Sequence, residues 1–377
     1  MSLTQEIKEY ALDLGYSKAG VTTADRFPNY IEQLELRKEM YSFYIEDPRQ
    51  PLKGAHPRSI MPTAKSIISV VYDFSKESYP EKLVGKIGRF YQARCYNAPE
   101  HSVNAMRPKL MREFLKRNGC QVGEGICLPE RLSAARAGIV TYGKNTFAYA
   151  EAIGSFILLT SFVVDIGLDY DEPSIEEGCP PNCSLCIEAC PTQAIYERLK
   201  INPRRCIAFN TFRTQEGLPG GCTSHISPEM REKMGTWIHG CDVCQEVCPR
   251  NHNRLKANLP RNEYLERLAE DFELTKVLNM SDDFYARRVQ PLMYNYIKEK
   301  KYFQRNAAIA IGNMGDPGFI PALSQAMHDP EPLVCSYSAW ALGKIGSRQA
   351  RQILEASFTR ETSEFVRKEI EAALAVV

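Results

Sequence analysis

Thirteen cysteines carry the most conspicuous chemistry of this 377-residue chain, and nine of them fall between Cys179 and Cys248. The first run is CPPNCSLCIEACPT, or Cys179-x3-Cys183-x2-Cys186-x3-Cys190-Pro191. The second is CDVCQEVCP, or Cys241-x2-Cys244-x3-Cys248-Pro249. Thiolates at such spacings hold a metal or a cluster. A disulfide framework would need an oxidising compartment. The opening MSLTQEIKEY has no basic n-region, no apolar h-region and no twin arginine, so the protein is expected to stay in the cytoplasm. Zinc also uses paired C-x2-C. The two Cys-Pro steps, each preceded by an x3 spacing, favour iron–sulfur clusters over zinc.

Together the two runs resemble the halves of a bacterial two-cluster ferredoxin. In that arrangement a short loop wraps three corners of a [4Fe–4S] cube, and the cysteine before the proline serves the other cube. The resemblance assigns Cys179, Cys183, Cys186 and Cys248 to one cluster. It assigns Cys190, Cys241 and Cys244 to the second, with Cys206 of RRCIAF as the eighth ligand and Cys222 as the alternative. One departure stands out: the first run opens with x3 where x2 is usual, and Pro180-Pro181 would shape the wider loop. Two adjacent cubes form an electron wire, taking single electrons from a soluble low-potential donor to a reactive centre elsewhere.

The elements around these runs divide the chain into three parts. Residues 1–170 alternate helix and strand, with helices at Glu6–Leu14, Val103–Lys116 (despite Pro108) and Leu132–Ala137. Strands are predicted at Lys18–Thr22, Ser66–Tyr72 and Phe156–Val164, the second apolar on both faces and therefore covered. This is an α/β (α+β) domain with a central sheet. Residues 171–255 hold the cysteines, after an acidic stretch with Pro173. Residues 256–377 are helical. There RNAAIAIGNMGD (305–316) and SYSAWALGKIGS (336–347) align 31 residues apart, with a weaker copy at Val366–Leu374. That period predicts a small HEAT-like solenoid.

Four stretches point to a family: HGCDVCQEVCPRN (239–251), CIEACPTQA (186–194), RAGIVTYGKNT (136–146) and the repeat tail. Together they resemble epoxyqueuosine reductases over nearly the whole chain. The resemblance implies a base-off cobalamin in the N-terminal domain beside two [4Fe–4S] clusters, and an architecture related to reductive dehalogenases. It implies reduction of epoxyqueuosine in a tRNA anticodon stem-loop to queuosine. The chain has no D-x-H-x-x-G run, the cobalamin motif with a histidine ligand. By the same resemblance, the family's catalytic Asp, a few residues before the E-R-x-x-A-A-R-A-G run at 130–138, is replaced here by Glu124. A carboxyl there serves as general acid if a dry pocket raises its pKa. His101 falls on a family Tyr-His step and is expected to line the substrate or corrin pocket. Lys144 and Asn145 of the GKN turn are expected to bind the corrin amides or tail.

Forty-seven Lys and Arg against forty-six Asp and Glu exclude a uniformly basic nucleic-acid coat. A local patch remains: residues 250–305 hold twelve Lys and Arg against eight Asp and Glu. Arg204, Arg205, Arg287, Arg288, Lys298, Lys300, Lys301 and Arg305 are its candidates for phosphate contacts. The stretch 153–166 is too short and polar to span a bilayer. Glu124, the wider Cys179 loop and the glycine-rich 214–228 segment also fit a diverged reductase of a small molecule, and bare cluster loops fit an electron-transfer protein.

Overall fold

The computed structural model describes residues 1–47, 51–95, 100, 102–174, 178–212, 224–292 and 299–377. The N-terminal part is built on three antiparallel strands: β1 (Lys18–Thr23), β2 (Ser66–Asp73) and β3 (Ile157–Val164), with β2 in the middle. Val21 pairs with Ile68, and Ser69 with Ser161. Strand alternation sends Ile68 and Val70 to one face and Ile67 and Val71 to the other. The first pair meets α1 (Leu3–Asp13) and α2 (Val103–Arg117) through Ile7, Ala11, Met111 and Leu115. Val71 packs with Ala134 and Ala135 of α3 (Glu130–Arg136), while Ile67 packs with Phe27 and Leu128. Helices thus cover β2 on both sides, as its run of apolar residues requires. β3 is an edge strand, and α3 packs on it.

The C-terminal helices are α4 (Lys301–Met314), α5 (Ile320–Ala326), α6 (Pro332–Ile345), α7 (Arg348–Arg360) and α8 (Glu364–Leu374). α4 packs on α6, and α6 on α8. The repeat's glycines explain the stacking. A Cβ on Gly312 would lie 2.6 Å from Trp340, and one on Gly343 would lie 2.8 Å from Ala373. The same glycine in each copy therefore lets the next helix approach. The array shares one apolar core with the rest of the chain, running from Ala308 and Trp340 through Trp237 and Ile238 to Leu83 and Ile87.

One member of the basic patch is lost to the interior. Arg305 is fully buried and donates to the carbonyl oxygens of Ser224 and Asn210 and to Asn306 Oδ1. Its planar fork ties the first repeat helix to the segment before it, so it is structural and unavailable to phosphate. Arg287, Arg288, Lys300 and Lys301 pair with Asp283, Asp271, Asp282 and Glu299. Lys298 lies outside the described residues. Among the described residues no helix is long and apolar enough to cross a membrane.

Candidate metal centre and adjoining cavity

Each cysteine run folds into a loop around one helical turn, Leu185–Glu188 in the first and Val243–Glu246 in the second, and the two turns pack together. The loops interlock, and mutual electrostatics sorts their thiols into two sets. Burial pushes the Cys186 thiol up to about 11, and the neighbouring Cys179, Cys248 and Cys183 add to the effect. Cys241 is raised first by burial and then by Cys206, Asp242 and Cys190. Cys244 is raised well above its ordinary value by burial, with Cys206, Cys241, Asp242 and Cys186 contributing. These neighbours are consistent with the expected sets, Cys179, Cys183, Cys186 and Cys248, and Cys190, Cys206, Cys241 and Cys244, with Cys186 also acting on Cys244 where the two adjoin. Cys190 differs from the others. Burial raises it, but the N–H groups of Ile195, Ala194 and Thr192 and the Thr192 hydroxyl draw it below the usual thiol range.

Four thiols crowded in a low dielectric cannot all ionise unless cations replace the protons. One zinc ion would gather the sulfurs roughly 2.3 Å from a single point. Among the described residues no group of three or more His, Cys, Asp or Glu is placed to hold a single metal ion of any kind. Cys222 lies outside the described residues, as does His101.

The second set forms one wall of a cavity of about 890 Å³, and no member of the first set lines it. The lining also includes Ile157, Leu159 and Thr160 of β3, with Phe147, Glu130 and Arg131. Cys95, which sequence reasoning passed over, is buried and also lines it.

Sequence reasoning also missed Glu130, the first residue of α3. Burial pushes its carboxyl up to about 8, against the opposing pull of the Ser161 N–H and Arg112. The residue as a whole is half-buried, yet its Oε2 is enclosed and has no hydrogen-bond partner. Its place at the head of the E-R-x-x-A-A-R-A-G run was the only sequence clue. Glu124 is placed differently. Its side chain is 76% exposed, faces Lys116 at 3.6 Å, and is not part of the cavity wall, although Ile126 and Cys127 of the same loop are.

The GKN turn corrects an expectation. The Lys144 ammonium is turned away from the cavity and donates to the carbonyl oxygens of Pro180 (3.0 Å), Pro181 (2.7 Å) and Cys183 (2.8 Å). All three of its donors are engaged, so none is left for a corrin amide. Asn145 is equally committed. Its Nδ2 donates to the Tyr149 hydroxyl and the Cys244 carbonyl, and its Oδ1 accepts from the Phe147 N–H. One turn therefore grips both cysteine loops, while Thr146, Phe147 and Ala148 line the cavity. The motif was legible, but its target was not, because spacing along the chain does not show which carbonyls will come near.

Two interlocked four-cysteine sets beside a ligand-sized chamber, joined to stacked helical repeats, define an iron–sulfur protein of the double-cluster class. Residues 179–251 match the 4Fe-4S double cluster binding domain, and residues 290–375 match HEAT repeats. An epoxyqueuosine reductase from Bacillus subtilis (strain 168) is 31% identical, the match covering 99% of this chain and 95% of that one. A crystal structure of epoxyqueuosine reductase with an epoxyqueuosine-modified tRNA-Tyr stem loop superposes with a TM-score of 0.82 at 30% identity, covering 99% and 98% of the two chains. A Bacillus subtilis epoxyqueuosine reductase structure whose catalytic aspartate loop is swung out of the active site also gives 0.82, at 29% identity and 100% and 99% coverage. The chain belongs to the epoxyqueuosine reductase family, and is an oxidoreductase.

Two outcomes follow from this geometry. Cys206→Ala is expected to lose the cavity-side cluster alone, so iron bound by anaerobically purified protein falls by about half. Full retention of iron would transfer the eighth ligand to Cys222. Glu130 holds its proton to about pH 8 when folded, against an ordinary 4.5. The folded state therefore binds the extra proton between those values, and stability falls as pH rises across that window and levels off above it. Glu130→Gln cannot ionise, so its urea midpoint should gain on wild type from about pH 5 to about pH 8. A constant difference would contradict the buried acid.

Proposed function

We propose that this protein reduces epoxyqueuosine in tRNA to queuosine, with two [4Fe–4S] clusters feeding a base-off cobalamin held in the cavity. The observation that carries the reading is the shared lining: four cysteines of one set open onto a chamber that a carboxylic acid raised by burial also lines. The donor chemistry fits the clusters, since each set supplies the four thiolates of one cube. The chamber fits a large ligand, its volume of about 890 Å³ lying within the range of roughly 300–1,000 Å³ for ligand sites. Phe147, Ile157 and Leu159 would flank the corrin, and Arg131 and Thr160 would meet its polar rim. Cobalamin supplies a strongly reducing, nucleophilic centre when bound.

Removing the epoxide oxygen as water takes two electrons and two protons. The electrons enter through the first cysteine set and leave through the second. The protons come from the chain. Glu124 serves as general acid when its loop turns inward, a movement supported by the swung-out loop of the Bacillus subtilis relative. Glu is one methylene longer than Asp, so the loop must set its backbone back by about one bond to place the proton. Glu130 keeps a neutral acid on the wall. Arg204 and Arg205, beside the cavity-side Cys206, meet the phosphates of the anticodon stem-loop, which makes binding salt-dependent.

Single turnover by reduced, cobalamin-loaded protein tests the reading. Epoxyqueuosine-containing tRNA should be converted, and the free nucleoside should react far more slowly. Equal rates would assign a small-molecule substrate. Glu124→Gln should slow turnover on the order of 10²–10⁴-fold with both clusters retained. Unchanged turnover would remove Glu124 from the mechanism.

A further inference from the structure

Lys144 is an unusual residue to find enclosed: it is 7% exposed, and its described ammonium partners are the carbonyl oxygens of Pro180, Pro181 and Cys183. Among the described residues no carboxylate pairs with it. Carbonyl dipoles satisfy its hydrogen bonds but leave its net charge uncompensated, and a buried cation in that condition is costly. What this site offers in compensation is the loop itself, which carries Cys179, Cys183 and Cys186. A cube held by four thiolates is a net anion, and it becomes one charge more negative on reduction.

We propose that Lys144 is a positioning residue that sets the reduction potential of the cluster held by Cys179, Cys183, Cys186 and Cys248, raising it by favouring the reduced cube. The proposal rests on the reading that these four cysteines hold a cluster. Three observations make the effect specific. The charge is enclosed, so water and salt screen it weakly. It is anchored to the loop by three bonds of 2.7 to 3.0 Å and cannot swing away. The next residue, Asn145, makes the corresponding contact to Cys244 of the other set with a neutral amide. One turn therefore gives a cation to the outer cluster and no charge to the cavity-side one.

The wider first loop now has a physical reason. The x3 spacing between Cys179 and Cys183 leaves two proline carbonyls and that of Cys183 around a single ammonium. The favoured cluster is also the outer one. It does not line the cavity, and the exposed Leu185 and Val247 (46% and 37%) sit beside its cysteines. An outer cube that reduces more readily is the one to receive an electron from a soluble donor.

The test uses anaerobic full-length holoprotein, with iron content and an EPR-monitored redox titration of wild type, Lys144→Gln and Lys144→Arg. For Lys144→Gln the oxidised-to-reduced ratio of the outer cluster at fixed potential should rise about tenfold, a downward shift of about 59 mV for one electron. The cavity-side cluster should not move, and Lys144→Arg should titrate like wild type. An unchanged outer potential in a fully loaded Lys144→Gln overturns the proposal. If Lys144→Gln sheds the outer cube, Lys144→Arg decides: a retained cube at the wild-type potential supports the charge, and loss there too assigns Lys144 to folding and overturns it. Wild-type protein with fewer than two cubes would instead refute the functional reading beneath the proposal.

Discussion

Eight thiols, seven in two interlocked loops and the eighth on Cys206 between them in sequence, impose the constraint on which the rest of this structure depends, and burial raises those of Cys186, Cys206, Cys241 and Cys244. Protonated, they are an awkward polar inclusion. Ionised, they need several positive charges close at hand. Iron meets that need, and the surrounding chain is arranged to keep the sulfurs where iron can bridge them. The Lys144 and Asn145 contacts, the N–H groups converging on Cys190 and the packing of the two helical turns all serve this end. The sheet domain contributes through the same turn, whose Thr146, Phe147 and Ala148 also line the cavity. Electron path and reaction chamber are thus set by one short segment.

The order of the two sets gives the molecule a direction. The outer set lies under exposed apolar side chains, and the inner set forms a cavity wall. Glu130 in the lining of that cavity stays protonated because burial outweighs the Ser161 N–H and Arg112. The Ser161 N–H links it to the edge strand β3. The HEAT repeats do not stand apart from this machinery. Buried Arg305 and Asn306 reach back to the carbonyls of Thr211 and Ile238, close to Cys206 and Cys241.

Much of this was readable from residue types and spacing. The ladder positions of β1, β2 and β3 follow from β-branched runs, and the repeat follows from glycines recurring at 312 and 343. The double-cluster character of residues 179–251 was legible in the spacing and the Cys-Pro steps. What could not be read depended on contacts between segments distant in sequence. Lys144 looked like a cofactor ligand because a lysine after glycine in a turn is usually free to reach outward. Arg305 looked like a phosphate contact because charge counting does not register burial. Glu130 stood two residues ahead of the predicted Leu132–Ala137 helix, and only the fold shows its carboxyl enclosed. Glu124 is the residue whose position in the fold and whose place in the motif stand furthest apart: the motif sets it before the 130–138 run, and the fold leaves its side chain exposed beside Lys116.

The central claim is two four-iron cubes, one of them against the cavity wall. Anomalous diffraction at the iron edge from anaerobic crystals measures it directly. The account predicts two iron peaks, one enclosed by Cys179, Cys183, Cys186 and Cys248 and the other by Cys190, Cys206, Cys241 and Cys244, with the second bordering the chamber. A zinc edge at either place, or iron at only one, would contradict it.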